Sequence, residues 1–190
     1  MENKENLYRE VYAQTQRLVA DEKDSVASAA NLVALLHRMF QFWWTGFYRV
    51  VDNELVLGPF QGPLACTRIG WGKGVCGTAW AKGETVIVPD VEQFAGHIAC
   101  SSESCSEIVV PCYADGKIVA VLDIDSEYIG TFDEMDARWL EKIVALLDPA
   151  TQQPPQEEKE VLHCPECGGV YHRHDVFCPV CGDRIDKTKS

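Results

Sequence analysis

The sequence predicts an α+β layer domain followed by a small cysteine-bearing unit. Two observations carry the first part: amphipathic helical periodicity at both ends of the body, and short β-branched runs joined by tight-turn signals between them. A third carries the second part, a proline-rich polar stretch that separates the body from two Cys-x-x-Cys pairs. At 190 residues, 46% of them hydrophobic, the chain is long enough for one domain with a real core and an appendage. The boundaries expected are 1–147 for the body, 148–160 for the linker and 161–186 for the appended unit.

In the body, apolar residues recur at three- and four-residue intervals from Glu5 to Leu18 and from Ser25 to Phe40, which predicts two amphipathic helices. Asp24 or Ser25 can cap the second. Trp43 to Val51 and Glu54 to Phe60 read as strands joined at Asp52-Asn53. A glycine-rich stretch, Ile69 to Gly77, leads into a short helix near Val75 to Lys82 and a strand from Thr85 to Val88. Ser106 to Cys112 and Lys117 to Ser126 form a second hairpin around Asp115-Gly116. Two registers are open there. A two-residue turn pairs Tyr113 with Ile118, whereas a three-residue turn with Gly116 in the bulge position pairs Tyr113 with Lys117 and sets Glu107 opposite Asp123. Thr131 or Asp133 caps a last helix from about Glu134 to Leu147, with Trp139, Ile143 and Leu147 on one face.

A formal charge of −12 makes nucleic acid a poor ligand. The N-terminus has neither a basic n-region nor an apolar h-region, and no apolar run reaches the ~18 residues of a membrane span. The expectation is a soluble cytoplasmic protein with no membrane partner. Nine cysteines, an odd number in an unsecreted chain, point to redox or metal chemistry rather than a disulfide framework. Five lie in the body, Cys66, Cys76, Cys100, Cys105 and Cys112, and four in the tail.

Asp123 and Asp125 stand two apart on a strand and project from one face, which Glu107 joins in the three-residue-turn register. Carboxylates so placed need a cation, a shared proton or solvent between them, and a free α-ammonium would serve. Trp44 and Tyr48 share a strand face by the same rule and would make an apolar ring wall. His97 stands three residues before Cys100, where a histidine could assist proton transfer, although a structural role is the plainer reading. Gly72-Lys-Gly74-Val-Cys-Gly77 matches the G-x-G-x-x-G pattern, but its helix spans only about two turns and no second βαβ unit follows, so a dinucleotide site is rejected.

The cysteine stretches Gly62-Pro-Leu-Ala-Cys66, Gly74-Val-Cys76-Gly-Thr-Ala and Gly96-His-Ile-Ala-Cys100, together with Ser106-Glu107-Ile-Val-Val-Pro111 and Leu122-Asp-Ile-Asp-Ser126, resemble the GAF fold and, within it, the free methionine-(R)-sulfoxide reductases. The resemblance runs from roughly Asn31 to Leu147. It implies a GAF-like antiparallel sheet flanked by helices and thiol-dependent reduction of free L-methionine (R)-S-oxide. In that scheme Cys100 attacks, Cys66 resolves, and Cys76 is an auxiliary partner. Glu107, Asp123 and Asp125 hold the amino group, and a thioredoxin-like dithiol recycles the disulfide. Ser101 departs from the family, in which an aspartate commonly follows the attacking cysteine. The body should need no cofactor. A rival reading is a small-molecule-binding GAF sensor with the tail as interaction module, although no output domain such as a kinase or cyclase is recognisable in the chain.

In the tail, Cys164-Pro-Glu-Cys167-Gly and Cys178-Pro-Val-Cys181-Gly are two similar knuckles ten residues apart, the spacing of a zinc ribbon with one structural Zn²⁺ on four thiolates. Five basic against seven acidic residues from Ala150 onward make it a poor nucleic-acid surface. Contact with a protein partner, or self-association into a homodimer, suits it better.

Overall fold

The computed structural model describes residues 4–96, 103–148, 162–164, 166–171, 177 and 180–181. The chain divides into two compact units, Met1–Gln152 and Gln153–Ser190. The first holds helices α1 (Lys4–Val19), α2 (Ser25–Phe40), α3 (Gly74–Lys82) and α4 (Glu134–Ala145), and strands β1 (Trp44–Val51), β2 (Glu54–Gln61), β3 (Arg68–Gly70), β4 (Val86–Val88), β5 (Ser106–Ala114) and β6 (Lys117–Ser126). The strands form one antiparallel sheet in the order β3-β2-β1-β6-β5-β4. The fold is therefore α+β, as the sequence predicts. Strand β3 and the short 3-10 turn Val91–Gln93 were not anticipated, because three-residue elements leave no periodicity to read.

Strand alternation separates two cores. On one face, Phe47, Ile108, Val110, Leu122 and Ile124 pack under α1, α2 and α4 with Tyr8, Leu32, Leu36, Leu140 and Ile143. On the other, Trp44, Tyr48, Val109 and Val121 pack with Val75, Cys76, Ala79 and Trp80 of α3. That second face carries the acids. Asp24 caps α2, its Oδ1 accepting from the Val26 and Ala27 N–H groups at 2.8 and 2.9 Å. Asp133, rather than Thr131, caps α4 in a reciprocal box with Asp136.

The β5–β6 hairpin takes one of the two registers open in the sequence and then departs from it. The turn is the two-residue kind, with Tyr113 opposite Ile118 and positive φ at Asp115 (50°) and Gly116 (72°). Continued unchanged, that register would put Glu107 across from Ile124 and on the opposite face from the aspartates. A bulge intervenes: Ile118 and Ala120 have partners, and Val119 between them is the extra residue. Parity is thereby restored. Glu107 lies directly opposite Asp125, and Asp123 is opposite Val109. The Glu107–Asp123 pairing that the three-residue turn would give does not form, but all three carboxylates share a face.

Among the described residues, no helix is long and apolar enough to cross a membrane.

Candidate active site

Sheet pairing fixes the floor of a pocket. On β1, Trp44 is opposite Asp125, Gly46 opposite Asp123 and Tyr48 opposite Val121, so rings and acids alternate on one surface. Lining the pocket are Trp44, Tyr48, Cys76, Glu107, Asp123 and Asp125, six residues singled out from sequence. Leu64, Ala65, Lys73, Gly74, Val75 and Ser104 complete much of the rest. Trp44 and Tyr48 stand with ring centroids 5.9 Å apart, and Phe60 stacks on Trp44 at 5.5 Å. Trp44 Nε1 donates to the Pro63 carbonyl at 3.1 Å, and Tyr48 Oη donates to the Cys66 carbonyl at 2.9 Å. The two bonds tie the loop carrying Cys66 to the pocket wall.

The acids are buried to an unusual degree: Glu107 and Asp123 are each 6% exposed. Burial, then the charges of Asp123 and Asp125, pushes the Glu107 carboxyl well above its ordinary range. Burial and the Asp125 charge do the same to Asp123. Asp125 is pushed up to about 6 by burial, opposed by a short hydrogen bond from Ser104 Oγ. Among the described residues, Asp123 Oδ1 is one of three buried side-chain polar atoms with no hydrogen-bond partner, and it alone of the three belongs to a pocket-lining residue. A cationic donor entering here would satisfy that oxygen and favour ionised neighbours.

Cys76 opens onto the same floor, its Sγ 4.0 Å from Glu107 Oε1. Burial, followed by the charges of Asp123 and Glu107, pushes its thiol well above the usual range. A thiol so held stays protonated and is a poor nucleophile. Cys66 is disulfide-bonded, whereas Cys76, Cys105 and Cys112 keep free thiols. Cys112 packs in the core on the helix-covered face, away from the acids. Cys105 lies near the Glu103 carbonyl, with Sγ at 3.7 Å. Cys100, His97 and Ser101 lie outside the described residues.

Sequence reasoning missed Lys73 and Ser104, for which no motif exists, and Gly46, for which one did. An isolated glycine inside a strand signals close approach of another group. A Cβ at Gly46 would collide with the Trp44 ring and sit 2.6 Å from Phe60 Cβ, so only glycine lets the indole lie along the strand. Gly46→Ala is therefore expected to displace Trp44, destabilise the fold by about 1–3 kcal/mol and raise KM more than it lowers kcat. Melting curves with Michaelis kinetics check this, and unchanged KM in a folded Gly46→Ala protein would remove Trp44 from the pocket account.

A GAF domain family model matches residues 24–151. The chain is 54% identical over 147 residues to GAF domain-containing protein A of Dictyostelium discoideum, covering 77% of this chain and 93% of that one. It is 45% identical over 147 residues to the free methionine-R-sulfoxide reductase of Escherichia coli, covering 77% and 89%. Its fold is similar to the X-ray structure of free methionine-R-sulfoxide reductase from Neisseria meningitidis in complex with its substrate, with a TM-score of 0.76 and 55% identity over 78% of this chain and 90% of that one. Sequence, sheet order and pocket agree on one assignment: the protein belongs to the GAF domain family, and its relatives there include free methionine-R-sulfoxide reductases.

Proposed function

We propose that this protein reduces free L-methionine (R)-S-oxide to methionine in the cytoplasm, with Cys100 as attacking thiolate and Cys66 as resolving thiol. The observation that carries the reading is the buried trio Glu107, Asp123 and Asp125 under the Trp44–Tyr48 wall, with Asp123 Oδ1 lacking a partner. An amino acid with a free ammonium group supplies the missing donor and the missing charge. The N-terminus of α3 at Gly74 and Val75, with Lys73 beside it, offers N–H groups and a positive charge for the carboxylate. The rings suit the methyl group and the side chain. Reductase relatives at 45% and 55% identity support the same substrate.

In the proposed chemistry, the Cys100 sulfur attacks the sulfoxide sulfur while a protonated pocket acid gives its proton to the oxygen. Raised carboxyls such as Glu107 and Asp123 suit that donation, because burial and their neighbours' charges favour the protonated form. The substrate S–O bond breaks as the protonated oxygen passes to the Cys100 sulfur, so that methionine leaves with the electron pair and Cys100 becomes a sulfenic acid. The Cys66 thiol then displaces hydroxide from that sulfur, which departs as water, and a disulfide remains. A thioredoxin-like dithiol returns two electrons and two protons by exchange. The disulfide-bonded state of Cys66 supports its place in this cycle.

The decisive measurement is a thiol-coupled assay with free and peptide-bound methionine sulfoxide in parallel. Turnover of the free form alone is expected, and equal turnover of the peptide form would reject the reading.

A pH dependence follows. Ammonium binding favours ionised Asp125, whose carboxyl is pushed up to about 6 by burial. Thus kcat/KM for free substrate should fall as pH is lowered through about 6, since that ratio reports the free enzyme. Asp125→Asn should lower the plateau and remove this limb of the profile. An unchanged limb in the variant would assign the titration to another group.

A further inference from the structure

The sulfoxide chemistry leaves the second unit's cysteines unused, and the three that are described lie close together. We propose that Cys164, Cys167 and Cys181, with a fourth thiolate from the same Cys-x-x-Cys repeat, hold one structural zinc ion. The Sγ atoms of Cys164, Cys167 and Cys181 all lie within 4.8 Å of one another. Cys164 Sγ and Cys181 Sγ are 3.8 Å apart. A tetrahedron with Zn–S bonds of about 2.3 Å has edges of about 3.8 Å, whereas a disulfide needs about 2.0 Å. All three thiols are free of disulfides.

The backbone around them is shaped for thiolates. The Gly168 N–H donates to the Cys164 carbonyl and the Cys164 N–H donates to the Gly169 carbonyl, both at 2.8 Å, closing a tight knuckle. The Gly169 N–H donates to Cys167 Sγ at 3.4 Å, the kind of bond that stabilises charge on sulfur. Gly168 needs its positive φ of 74°. A Cβ at Gly169 would meet Val180 Cγ2 at 2.6 Å and Cys167 Sγ at 3.2 Å. Val180 directly precedes Cys181, so this close approach brings Cys181 against the first cysteine pair. Strands β7 (Leu162–His163) and β8 (Val170–Tyr171) pair across the knuckle. Two residues per strand are too few to fold without a staple, and a metal ion supplies one. Cys178 is the fourth donor by sequence spacing and lies outside the described residues.

With four protein ligands the ion has no open position, so it acts on structure. It also withholds four thiols from exchange with the disulfide formed in the body. The same Cys-x-x-Cys pairs without metal would be redox dithiols competing for the thioredoxin-like donor.

The test uses the full-length chain. Elemental analysis after purification should give about one zinc per chain. Replacement by Co²⁺ should give the intense visible bands of a tetrahedral site with thiolate charge-transfer absorption. Cys181→Ser should abolish both, and Cys105→Ser should leave both intact. Gly169→Ala retains every thiol and guards against loss of folding in the first variant. Its metal should pass to a chromophoric chelator at about tenfold lower competitor concentration. A protein without metal that gives no charge-transfer band with Co²⁺ would overturn the proposal, as would tail cysteines recovered as disulfides.

Discussion

Cys100→Ser is expected to abolish reduction of free methionine sulfoxide, by at least about 10³-fold, even with excess dithiothreitol. In the proposed cycle the external thiol can replace the resolving step but not the attack. Cys76 cannot substitute. The residue is 3% exposed, and burial together with the charges of Asp123 and Glu107 holds its thiol well above the usual range. Cys76→Ser should accordingly cost little, because a hydroxyl fills the same space and offers the same proton. Cys66→Ser should release one methionine per active site and then stop with thioredoxin as reductant. A sulfenic acid on Cys100 should be trappable with dimedone in that variant. Normal dithiothreitol-driven turnover in Cys100→Ser would reject Cys100 as nucleophile, and a full thioredoxin-driven rate in Cys66→Ser would reject the resolving role.

The two sheet-face pairs were legible because strand alternation is strict: Asp123 with Asp125 and Trp44 with Tyr48 share a face whatever the register. Glu107 was harder. Its side depends on how many residues intervene between the turn and the pocket, and one bulged residue, Val119, inverts the answer. Nothing in Lys-Ile-Val-Ala-Val announces a bulge, since β-branched residues suit both regular and bulged strand. Turn chemistry at Asp115-Gly116 predicts the turn and stops there. Ser104 and Lys73 were invisible for another reason. They reach the pocket from a loop and a helix N-terminus, where no period relates position to direction. Gly46 left a signal, and its meaning needed the Trp44 ring in place. Helices α1 and α2 were read almost to the residue because each carries an apolar stripe, and α2 has an Asp24 cap as well.

Capping the substrate's amino group should cost on the order of 3–5 kcal/mol of transition-state binding, roughly 10²-fold to several 10³-fold in kcat/KM. N-acetylation removes the cation and leaves buried carboxylates facing an amide. The same acids should destabilise the substrate-free protein. Glu107 has a folded-state value above its unfolded one, so between the two values the folded state binds more protons than the unfolded state. Stability from this group is therefore greatest at low pH and declines as pH rises toward the folded value. Asp123 acts in the same direction. Glu107→Gln lightens that load without changing shape, and should raise the melting temperature of the free protein at pH 7 by several degrees. Saturating methionine should then stabilise the wild type much more than the variant, because the ammonium has lost an ionisable partner. Stabilisation without ligand and loss of response to ligand are linked outcomes of one electrostatic arrangement, a stability–function trade-off confined to the pocket floor. Equal rates on free and N-acetylated methionine sulfoxide would remove the ammonium from the account. A Glu107→Gln protein that melts earlier than wild type yet responds fully to methionine would show that Glu107 serves the fold instead.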